Sequence, residues 1–292
     1  MIPGQLEYVR PGSLDEALRI LRDREGEAKI LSGGYSLLPM IKLRLAQPAL
    51  LVDLQAVGGL DGIIRTDDDW RIGGRITHRR LREHDGLAAE HPIIRDAAAG
   101  IGDPQVRNWG TIGGSCAHAD PSADWPAVVI ALRGTFVCRS ADAERVLAAR
   151  GFFNDAFQTA IHPAEVLTEV RLPHGAARQG SAYVKLERRA GDFATVGVAA
   201  VLNLGDDGRI ATAGLALTAV GDAAFAATDA EAALMGRAPD ETLFRAAADA
   251  AAGQARPVAD SHGPADYKLA MVREITTRAL RLAASRAQGA TA

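Results

Sequence analysis

The apolar positions of the first sixty residues switch between helical and extended spacing. Leu14, within the capping sequence Ser13–Glu16, is followed by Leu18 and Leu21 at helical intervals, which predicts a helix with one apolar face. Short apolar runs at Ala28–Leu31 and Leu50–Leu54 are typical of strands, and residues 35–45 between them have helix-like spacing. Strand, glycine turn, helix and strand in this order predict a small βαβ unit with parallel strands.

From residue 62 the pattern predicts shorter elements. Ile63–Arg65 and Trp70–Gly74 flank an acidic turn as the arms of a hairpin would, and Arg79–His84 and Ile93–Ala99 have helical spacing. The segment Asn108–Ser115 is too rich in glycine to be expected in a regular element. An apolar helix is predicted directly after it, at about residues 123–132.

The last third of the chain has a different composition. The run Pro173–Gly180 is typical of a connector, and the sequence beyond it is richer in alanine. Three extended runs predict an antiparallel meander, three helical runs follow, and a short alanine-rich tail is expected to fray. The predicted strands are Val184–Leu186, Val196–Leu204 and Arg209–Thr218, and the predicted helices are Ala223–Met235, Glu241–Gln254 and Asp266–Ser285.

Composition restricts the class of protein. With 48% hydrophobic and 24% charged residues, a chain of 292 residues is expected to be globular, with enough length for two cores. A formal charge of -3 gives no basic excess for binding nucleic acid. No apolar run approaches the roughly 20 residues of a membrane span, and no export signal is visible at the start, so we expect a cytoplasmic protein.

The cysteine content excludes one kind of redox centre. Cys116 and Cys138 are the only two cysteines, which are too few for a disulfide framework or for a cysteine-held iron–sulfur cluster. Any such cluster must therefore lie on another chain. Both thiols are expected to fill space in the core.

Two double-glycine segments, Ser32–Ser36 and Thr111–Ser115, carry the clearest chemical signal. Glycine lets the backbone approach an anion closely, and the flanking hydroxyls add hydrogen-bond donors. One such segment alone is more often a plain turn, but the pair predicts a diphosphate site and hence a dinucleotide. The sequence has neither a complete G-x-G-x-x-G run nor a P-loop lysine, so a dinucleotide would be bound by an architecture other than the Rossmann fold.

Four stretches resemble a known family. Leu31–Arg44, Thr111–Asp124, Arg189–Ala194 and Gly263–Lys268 are similar, in the right order, to the medium, FAD-binding subunits of the carbon monoxide dehydrogenase and xanthine dehydrogenase group. The likeness extends over almost the whole chain.

The resemblance implies an α+β protein with the FAD-binding fold of the vanillyl-alcohol oxidase type. Two α/β subdomains, at about residues 1–57 and 58–177, would form the FAD-binding domain. A C-terminal domain of a three-stranded antiparallel sheet and a helical bundle would occupy residues 178–292.

The same resemblance assigns FAD to this chain and implies that Lys29–Ser36 form the first diphosphate loop and Thr111–Ser115 the second. It predicts no catalytic side chain and no metal ligand here. The predicted cofactor-binding residues are Lys29, Ile30, Leu31, Ser32, Gly33, Gly34, Tyr35, Ser36, Ile101, Thr111, Ile112, Gly113, Gly114, Ser115, Asp124, Leu167 and Lys185.

Four of these residues have individual roles by resemblance, and each has a plainer interpretation. Asp124 would accept hydrogen bonds from flavin or ribityl donors, or it is an ordinary carboxylate at a helix start. Lys185 would lie near the flavin, or it points to solvent from its strand. Ile101 and Leu167 would line apolar parts of the cofactor, or they are core residues. His118 has no partner at metal-ligand spacing and is not expected to bind a metal.

One position departs from the family pattern, and one position that matches it is not assigned to the site. Many relatives have histidine where this chain has Tyr35, an exchange that replaces an imidazole by a larger phenol and bears on the tuning of the flavin. Asp192 lies within a stretch that matches the family but is interpreted as a hairpin turn residue, outside the site.

The implied function is electron transfer in a heterotrimer. A large partner subunit would carry the molybdenum cofactor and a small one two 2Fe–2S clusters, whose electrons would pass through FAD on this chain to an external acceptor. Such complexes are commonly dimers of heterotrimers. The alternatives are a self-contained flavin-dependent oxidoreductase of the same fold and a scaffold that has lost its cofactor.

Overall fold

The computed structural model describes residues 3–289, which form sheets of three, five and four strands and one two-stranded ribbon. The predicted alanine-rich tail extends into residues 290–292, outside the described residues. Within the described part of the chain, no helix is long and apolar enough to cross a membrane.

The predicted βαβ unit is present at the start. Its strands pair in the order β1-β3-β2, and all of them run parallel. The helix after the glycine turn is shorter than predicted and ends at Lys42. The elements are β1 (Glu7–Val9), α1 (Leu14–Asp23), β2 (Ala28–Leu31), α2 (Leu37–Lys42) and β3 (Leu50–Asp53).

Helix α1 forms as its sequence predicts. The Ser13 hydroxyl accepts a hydrogen bond from the Glu16 backbone N–H at 3.2 Å, which caps the helix. Leu18 and Leu21 lie on one face and are fully buried against Val52 of β3 in a small separate core. Ala28 and Ile30 of the edge strand β2 pack on the same core, which holds the strand that leads into the first glycine segment.

The second unit is an antiparallel sheet of five strands with six helices. The hairpin β4–β5 is present as predicted, and the late strand β10 lies at the centre, between β5 and β6. The elements are β4 (Ile63–Arg65), β5 (Asp69–Gly73), α3 (His78–Glu83), α4 (Asp85–Glu90), α5 (Pro92–Gly100), α6 (Pro104–Trp109), α7 (Ile112–His118), α8 (Asp124–Ala131), β6 (Thr135–Arg139), β7 (Glu144–Ala148), β8 (Phe153–Asp155), β9 (Gln158–Thr159) and β10 (Val166–Pro173).

Helix α8 is the predicted apolar helix, and every residue in it is buried. A helix that is apolar on all sides must be surrounded by protein. It is covered by α5 and α7 of its own unit and by β12 and β13 of the C-terminal sheet. The central position of α8 holds its first residue, Asp124, between the two units.

The C-terminal unit contains the predicted meander. Its sheet has the order β11-β12-β13-β14, is antiparallel throughout, and is covered on one face by α11. The two-residue strand β14 extends the three predicted strands. The elements are β11 (Gln179–Leu186), β12 (Val196–Leu204), β13 (Ile210–Thr218), β14 (Phe225–Ala226), α9 (Thr228–Leu234), α10 (Glu241–Gln254) and α11 (Ala265–Ala287).

Two local predictions are wrong. The glycine-rich segment before α8 is mostly helical, because Thr111 caps α7 and both of its glycines lie in the first turn. The helix predicted from Ala223 begins only at Thr228, because Phe225 and Ala226 pair with β13 instead. In the first segment a helix cap and close packing on Gly74 and Ser32 decide the conformation, and in the second a strand pairing does.

Candidate functional site

One cavity of about 750 Å³ lies where the three units meet. Its walls include β2, the start of α7, the start of α8 and the end of β11. This size is within the roughly 300–1,000 Å³ typical of sites for organic ligands. The predicted site residues that line it are Lys29, Ile30, Ser32, Gly34, Tyr35, Ser36, Ile101, Thr111, Gly113, Gly114, Ser115, Asp124, Leu167 and Lys185.

The other predicted site residues do not line the cavity. They are Leu31, Gly33 and Ile112. Ile112 is fully buried in the core of the second unit. Gly33 packs against the backbone of Trp109, so closely that a side-chain carbon at Gly33 would overlap the Trp109 carbonyl oxygen. Ile112 and the side-chain position of Gly33 thus support the wall from behind, while the Gly33 backbone belongs to the loop beside the cavity.

The first glycine segment has the geometry of an anion-binding loop. Gly33 and Gly34 have φ angles of 86° and 94°, in the region that favours glycine. Among the described residues, the backbone N–H groups of Gly33, Gly34, Tyr35 and Ser36 have no hydrogen-bond acceptor. Successive N–H groups in such a turn can converge on an anion. The loop is therefore a set of donors beside the cavity.

The second glycine segment uses glycine for a different reason. Gly113 and Gly114 are helical and need no positive φ. A side-chain carbon at Gly113 would lie 2.5 Å from the Gly74 carbonyl oxygen, and one at Gly114 would lie 2.8 Å from the Ser32 carbonyl oxygen. Because both residues lack a side chain, the first turn of α7 packs directly on two backbone segments. These are Gly74, directly after β5, and Ser32 of the first glycine segment.

Thr111 joins the two segments. Its hydroxyl oxygen accepts from the Gly114 N–H at 3.1 Å and donates to the Ser32 carbonyl at 3.2 Å. The Ser32 hydroxyl lies 3.0 Å from the same oxygen. Two segments that are far apart in the sequence therefore form one continuous polar surface of the cavity.

At another wall, a buried cluster connects α8 to β11. The Asp124 carboxylate accepts a hydrogen bond from the Tyr183 hydroxyl at 2.6 Å and one from the Lys185 ammonium at 3.3 Å. Lys185 also donates to the Gly100 carbonyl at 3.0 Å and lies 3.5 Å from Glu187. The Lys185 side chain is only 7% exposed, so it does not point to solvent.

The electrostatics of this cluster follow from burial and its neighbours. Burial raises the pKa of Asp124, and the charge of Lys185 together with the Tyr183 hydroxyl oppose that rise. Burial and the nearby Asp124 raise the pKa of Tyr183 well above its usual value. Tyr183 therefore remains a neutral donor, and the carboxylate and ammonium stabilise each other inside the protein.

His78 is a cavity residue that sequence reasoning missed. Its Nδ1 accepts a hydrogen bond from the Trp125 indole at 2.9 Å, and burial followed by the charge of Arg107 lowers its pKa to about 4. A neutral, fixed imidazole is a wall element and not a proton carrier near neutral pH. In the sequence His78 directly precedes the predicted helix Arg79–His84, and no motif marks it as a site residue; in the structure it is the first residue of α3.

The family-like stretch around Asp192 also lines the cavity. Gly191 has a φ of 82° and packs on the Gly102 backbone, and Phe193 is 52% exposed. Asp192 Oδ2 lies 3.6 Å from Arg189 but accepts no hydrogen bond among the described residues. The interpretation of Asp192 as a turn residue outside the site overlooked this position on the cavity wall.

His118 and Phe157 form the wall on another side. Their rings lie 5.0 Å apart, and both line the cavity. Burial lowers the pKa of His118, with the charge of Lys29 acting in the same direction and Asp120 opposing it. In the described residues no three histidine, cysteine or acidic side chains are grouped as a metal site would require.

Comparison with known proteins gives the same result for both halves of the chain. The family described as "FAD binding domain in molybdopterin dehydrogenase" matches residues 4–175. The family described as "CO dehydrogenase flavoprotein C-terminal domain" matches residues 181–283.

Individual relatives match over nearly their full length. The carbon monoxide dehydrogenase medium chain of Afipia carboxidovorans is 39% identical over 288 residues, which are 99% of this chain and 100% of that protein. The 6-hydroxypseudooxynicotine dehydrogenase complex subunit alpha of Paenarthrobacter nicotinovorans is 36% identical, over 99% of this chain and 97% of that protein.

A solved structure agrees with these relatives. A chain of the carbon monoxide dehydrogenase from Hydrogenophaga pseudoflava, in a form that lacks the Mo-pyranopterin moiety of the molybdenum cofactor, superposes with a TM-score of 0.95. The identity is 42%, and the match covers 98% of this chain and 99% of that chain. The resemblance in the sequence is confirmed, and the chain belongs to the FAD-binding medium chains of the molybdenum hydroxylase family, the flavoprotein components of oxidoreductases of the carbon monoxide dehydrogenase type.

Proposed function

We propose that this chain holds FAD in the central cavity and passes electrons from 2Fe–2S clusters of a small partner subunit to an external acceptor. A large partner subunit would carry the molybdenum cofactor and oxidise the substrate. When bound, FAD supplies the chemistry that links carriers of single electrons to an acceptor of electron pairs. This chain contributes binding, orientation and electrostatics, and no general acid or base is assigned to it.

The observation that carries the proposal is the donor loop at residues 33–36. Its free N–H groups lie beside the hydroxyls of Ser32 and Thr111, which suits the oxygens of a diphosphate. Lys29 on the neighbouring strand adds a positive charge to the same cavity. The residues present therefore fit the diphosphate of a dinucleotide such as FAD.

The opposite wall fits the flavin and ribityl parts. Asp124 uses one lone pair of each carboxylate oxygen for Tyr183 and Lys185, so each oxygen can still accept from a ligand. Lys185 would favour electron-rich states of a nearby flavin by Coulomb attraction. Ile101 and Leu167, which line the same cavity, would contact apolar parts.

Partner subunits follow from what this chain lacks. Its two cysteines are both buried and free, so it cannot hold an iron–sulfur cluster of four thiolates. Its relatives are named medium chains or complex subunits, and one solved relative is described by its molybdenum cofactor. We propose a dimer of heterotrimers, which works in the cytoplasm, where buried thiols stay reduced.

A division of the chain into a FAD-binding domain, residues 1–177, and a C-terminal domain, residues 178–292, is part of the proposal. The two family matches end and begin on either side of residues 176–180, and a different sheet lies on each side. The cavity uses both domains, because Lys185 and Phe193 come from the second.

The test is purification of the native complex, followed by metal analysis and subunit assays. We expect iron and molybdenum in the complex, and reduction of a dye by substrate only when all three subunits are present. The isolated chain should contain FAD and exchange electrons with dithionite but oxidise no organic substrate. A lone flavoprotein that turns over a substrate without iron or molybdenum would identify it as a self-contained oxidoreductase instead.

A further inference from the structure

Tyr183 lies directly behind the cavity wall without lining it. The alternation of side chains along β11 puts Tyr183 and Lys185 on the same face, and both reach Asp124, one at each carboxylate oxygen. The Tyr183 backbone N–H also donates to Asp96 on α5 at 3.1 Å. The tyrosine is thus fixed at both its backbone and its hydroxyl.

The neighbouring strands are shaped around this hydroxyl. Gly197 of β12 pairs with Lys185, and a side-chain carbon at Gly197 would overlap the Tyr183 hydroxyl oxygen. On β13, the Thr218 hydroxyl lies 2.8 Å from the carbonyl of Ala123, directly before Asp124. The sheet therefore leaves room for the hydroxyl and also fixes the backbone that carries the carboxylate.

The rotation of the Asp124 side chain is set by its two donors. The α8 backbone determines where the Asp124 side chain begins, but it does not determine the direction of the two oxygens. A short hydrogen bond from a neutral, buried phenol stabilises the ionised carboxylate and leaves its remaining lone pairs in fixed directions. Lys185 alone would constrain the carboxylate less, because its ammonium lies 3.3 Å from Asp124 and also contacts Gly100 and Glu187.

We propose that Tyr183 is a positioning residue, whose hydroxyl keeps the Asp124 carboxylate ionised and oriented so that Asp124 and Lys185 face the cavity as a fixed pair for bound FAD. This inference rests on the proposed function, because the ligand of the pair is FAD. Tyr183 itself does not line the cavity, so it is assigned no contact with the cofactor or the reacting atoms.

The proposal has a consequence for pH. The charged and titratable groups that act on Asp124 are Lys185 and Tyr183 on β11 and Glu187 directly after it, and His78 on α3 lines the same cavity. Burial raises the pKa of Asp124, and loss of the Tyr183 hydroxyl removes one of the groups that oppose this rise. Asp124 should then take up a proton at a higher pH and lose acceptor capacity.

The test compares Tyr183→Phe with the wild-type full-length chain. FAD, after its removal from the protein, is titrated back while flavin fluorescence is followed between about pH 5 and pH 8. As the pH is lowered, the FAD affinity of the variant should begin to fall at a higher pH than that of the wild type. At the acidic end the dissociation constant of the variant should be about tenfold larger. An unchanged constant at every pH, or the same loss at every pH, would overturn the proposal.

A second measurement does not need FAD. In the full-length chain labelled at the aspartate carboxyl carbons, Asp124→Asn identifies the Asp124 NMR signal, and Tyr183→Phe should move its titration midpoint upward. Gly197→Ala, which pushes on the same hydroxyl from β12, should move it in the same direction. Tyr267→Phe, at an exposed tyrosine of α11, is the control and should leave it unchanged.

The two measurements separate the two proposals. If the wild-type chain binds no FAD, the proposed function fails, while the NMR midpoint still reports on Tyr183. If FAD binds but the affinity profile of Tyr183→Phe equals that of the wild type, or the Asp124 midpoint is the same in the wild type, Tyr183→Phe and Gly197→Ala, the positioning role is excluded.

Discussion

The Thr111 hydroxyl oxygen lies 3.0 Å from the Ser32 hydroxyl oxygen, although 79 positions separate the two residues in the sequence. The contact exists because Gly114, directly beneath it, has no side chain. A side-chain carbon there would lie 2.7 Å from the Thr111 hydroxyl and 2.8 Å from the Ser32 carbonyl. The polar surface proposed for the diphosphate thus depends on close backbone packing as much as on its donors.

We therefore expect Gly114→Ala to weaken FAD binding by at least about tenfold, and Gly114→Val to abolish it, because both substitutions push the two segments apart. The fold should be largely retained, since α7 can accommodate either residue by its dihedral angles. Asp124→Ala should weaken binding less than the valine substitution. The ratio of flavin to protein absorbance after purification measures occupancy.

The matched control is Gly253→Ala. Gly253 is also helical, near the end of α10, but a side-chain carbon there meets no atom within 4 Å. Its replacement should leave FAD occupancy unchanged and increase stability by up to about 1 kcal/mol, the helix propensity difference. Full occupancy in Gly114→Val would exclude the diphosphate assignment.

The cofactor should be bound without a covalent link. Tyr35, Ser36, His118 and Lys185 are cavity residues with nucleophilic or basic atoms, and none belongs to an arrangement that marks it as an attachment site. Acid precipitation is expected to release the yellow colour into the supernatant as FAD. Colour that stays with the pellet, or FMN in the supernatant, would contradict this expectation.

Stability at acidic pH should depend on Glu90, which connects α4 to the segment after β10. Burial alone would raise its pKa, but hydrogen bonds from Trp70, Gly175 and His174 outweigh that effect and lower the pKa to about 2. Since the folded pKa is below the unfolded value, this contribution is complete above about pH 4.5 and is lost as pH falls toward 2. Its size is at most roughly 3 kcal/mol.

Glu90→Gln should accordingly reduce the free energy of unfolding at pH 7 by about 2 kcal/mol and flatten its dependence on pH below about 5. Urea unfolding at a series of pH values is the measurement. Glu83→Gln, at an exposed carboxylate paired with Arg79 on α3, should change stability by less than about 0.5 kcal/mol. Equal effects of the two substitutions would show that the Glu90 contacts contribute no more to stability than an exposed ion pair does.

The sequence predicted those parts of the fold that depend on local pattern. Helix α1, the parallel strands around it and the apolar helix α8 follow from spacing and capping, and the family resemblance supplied the fold class, which is confirmed. The segment at Thr111–Ser115 could not be assigned from composition, because its helix depends on contacts with Gly74 and Ser32 in distant parts of the chain.

The candidate site shows the same limit. The glycine segments were recognisable because they are short motifs, whereas Tyr183 and His78 act through single contacts with Asp124 and Trp125 that no spacing rule reveals. Their own sequence neighbourhoods are those of an ordinary strand and an ordinary helix start. Only their hydrogen bonds to the first residues of α8 place His78 in the cavity wall and Tyr183 directly behind it.

The last prediction concerns the junction between the C-terminal unit and the rest. Arg286 of α11 donates to both carboxylate oxygens of Asp96 on α5, at 2.6 Å and 3.0 Å, and to the Ser181 carbonyl at 2.6 Å. The same carboxylate accepts from the Tyr183 N–H. The side chains of Arg286 and Asp96 are only 18% and 20% exposed, so this two-point ion pair is screened much less than a surface pair.

Arg286→Ala should therefore destabilise the protein by about 3 kcal/mol, because it leaves the Asp96 carboxylate without its charged partner in a mostly buried position. Arg278→Ala on the same helix is the matched control. Arg278 pairs with Glu274 one turn away, both side chains are more than half exposed, and the loss should stay below about 0.5 kcal/mol. Chemical denaturation of both variants measures the difference. Comparable losses would mean that α11 docks by its apolar face alone, whereas a loss confined to Arg286→Ala would show that this ion pair holds β11, and with it Tyr183 and Lys185, against the FAD-binding part of the chain.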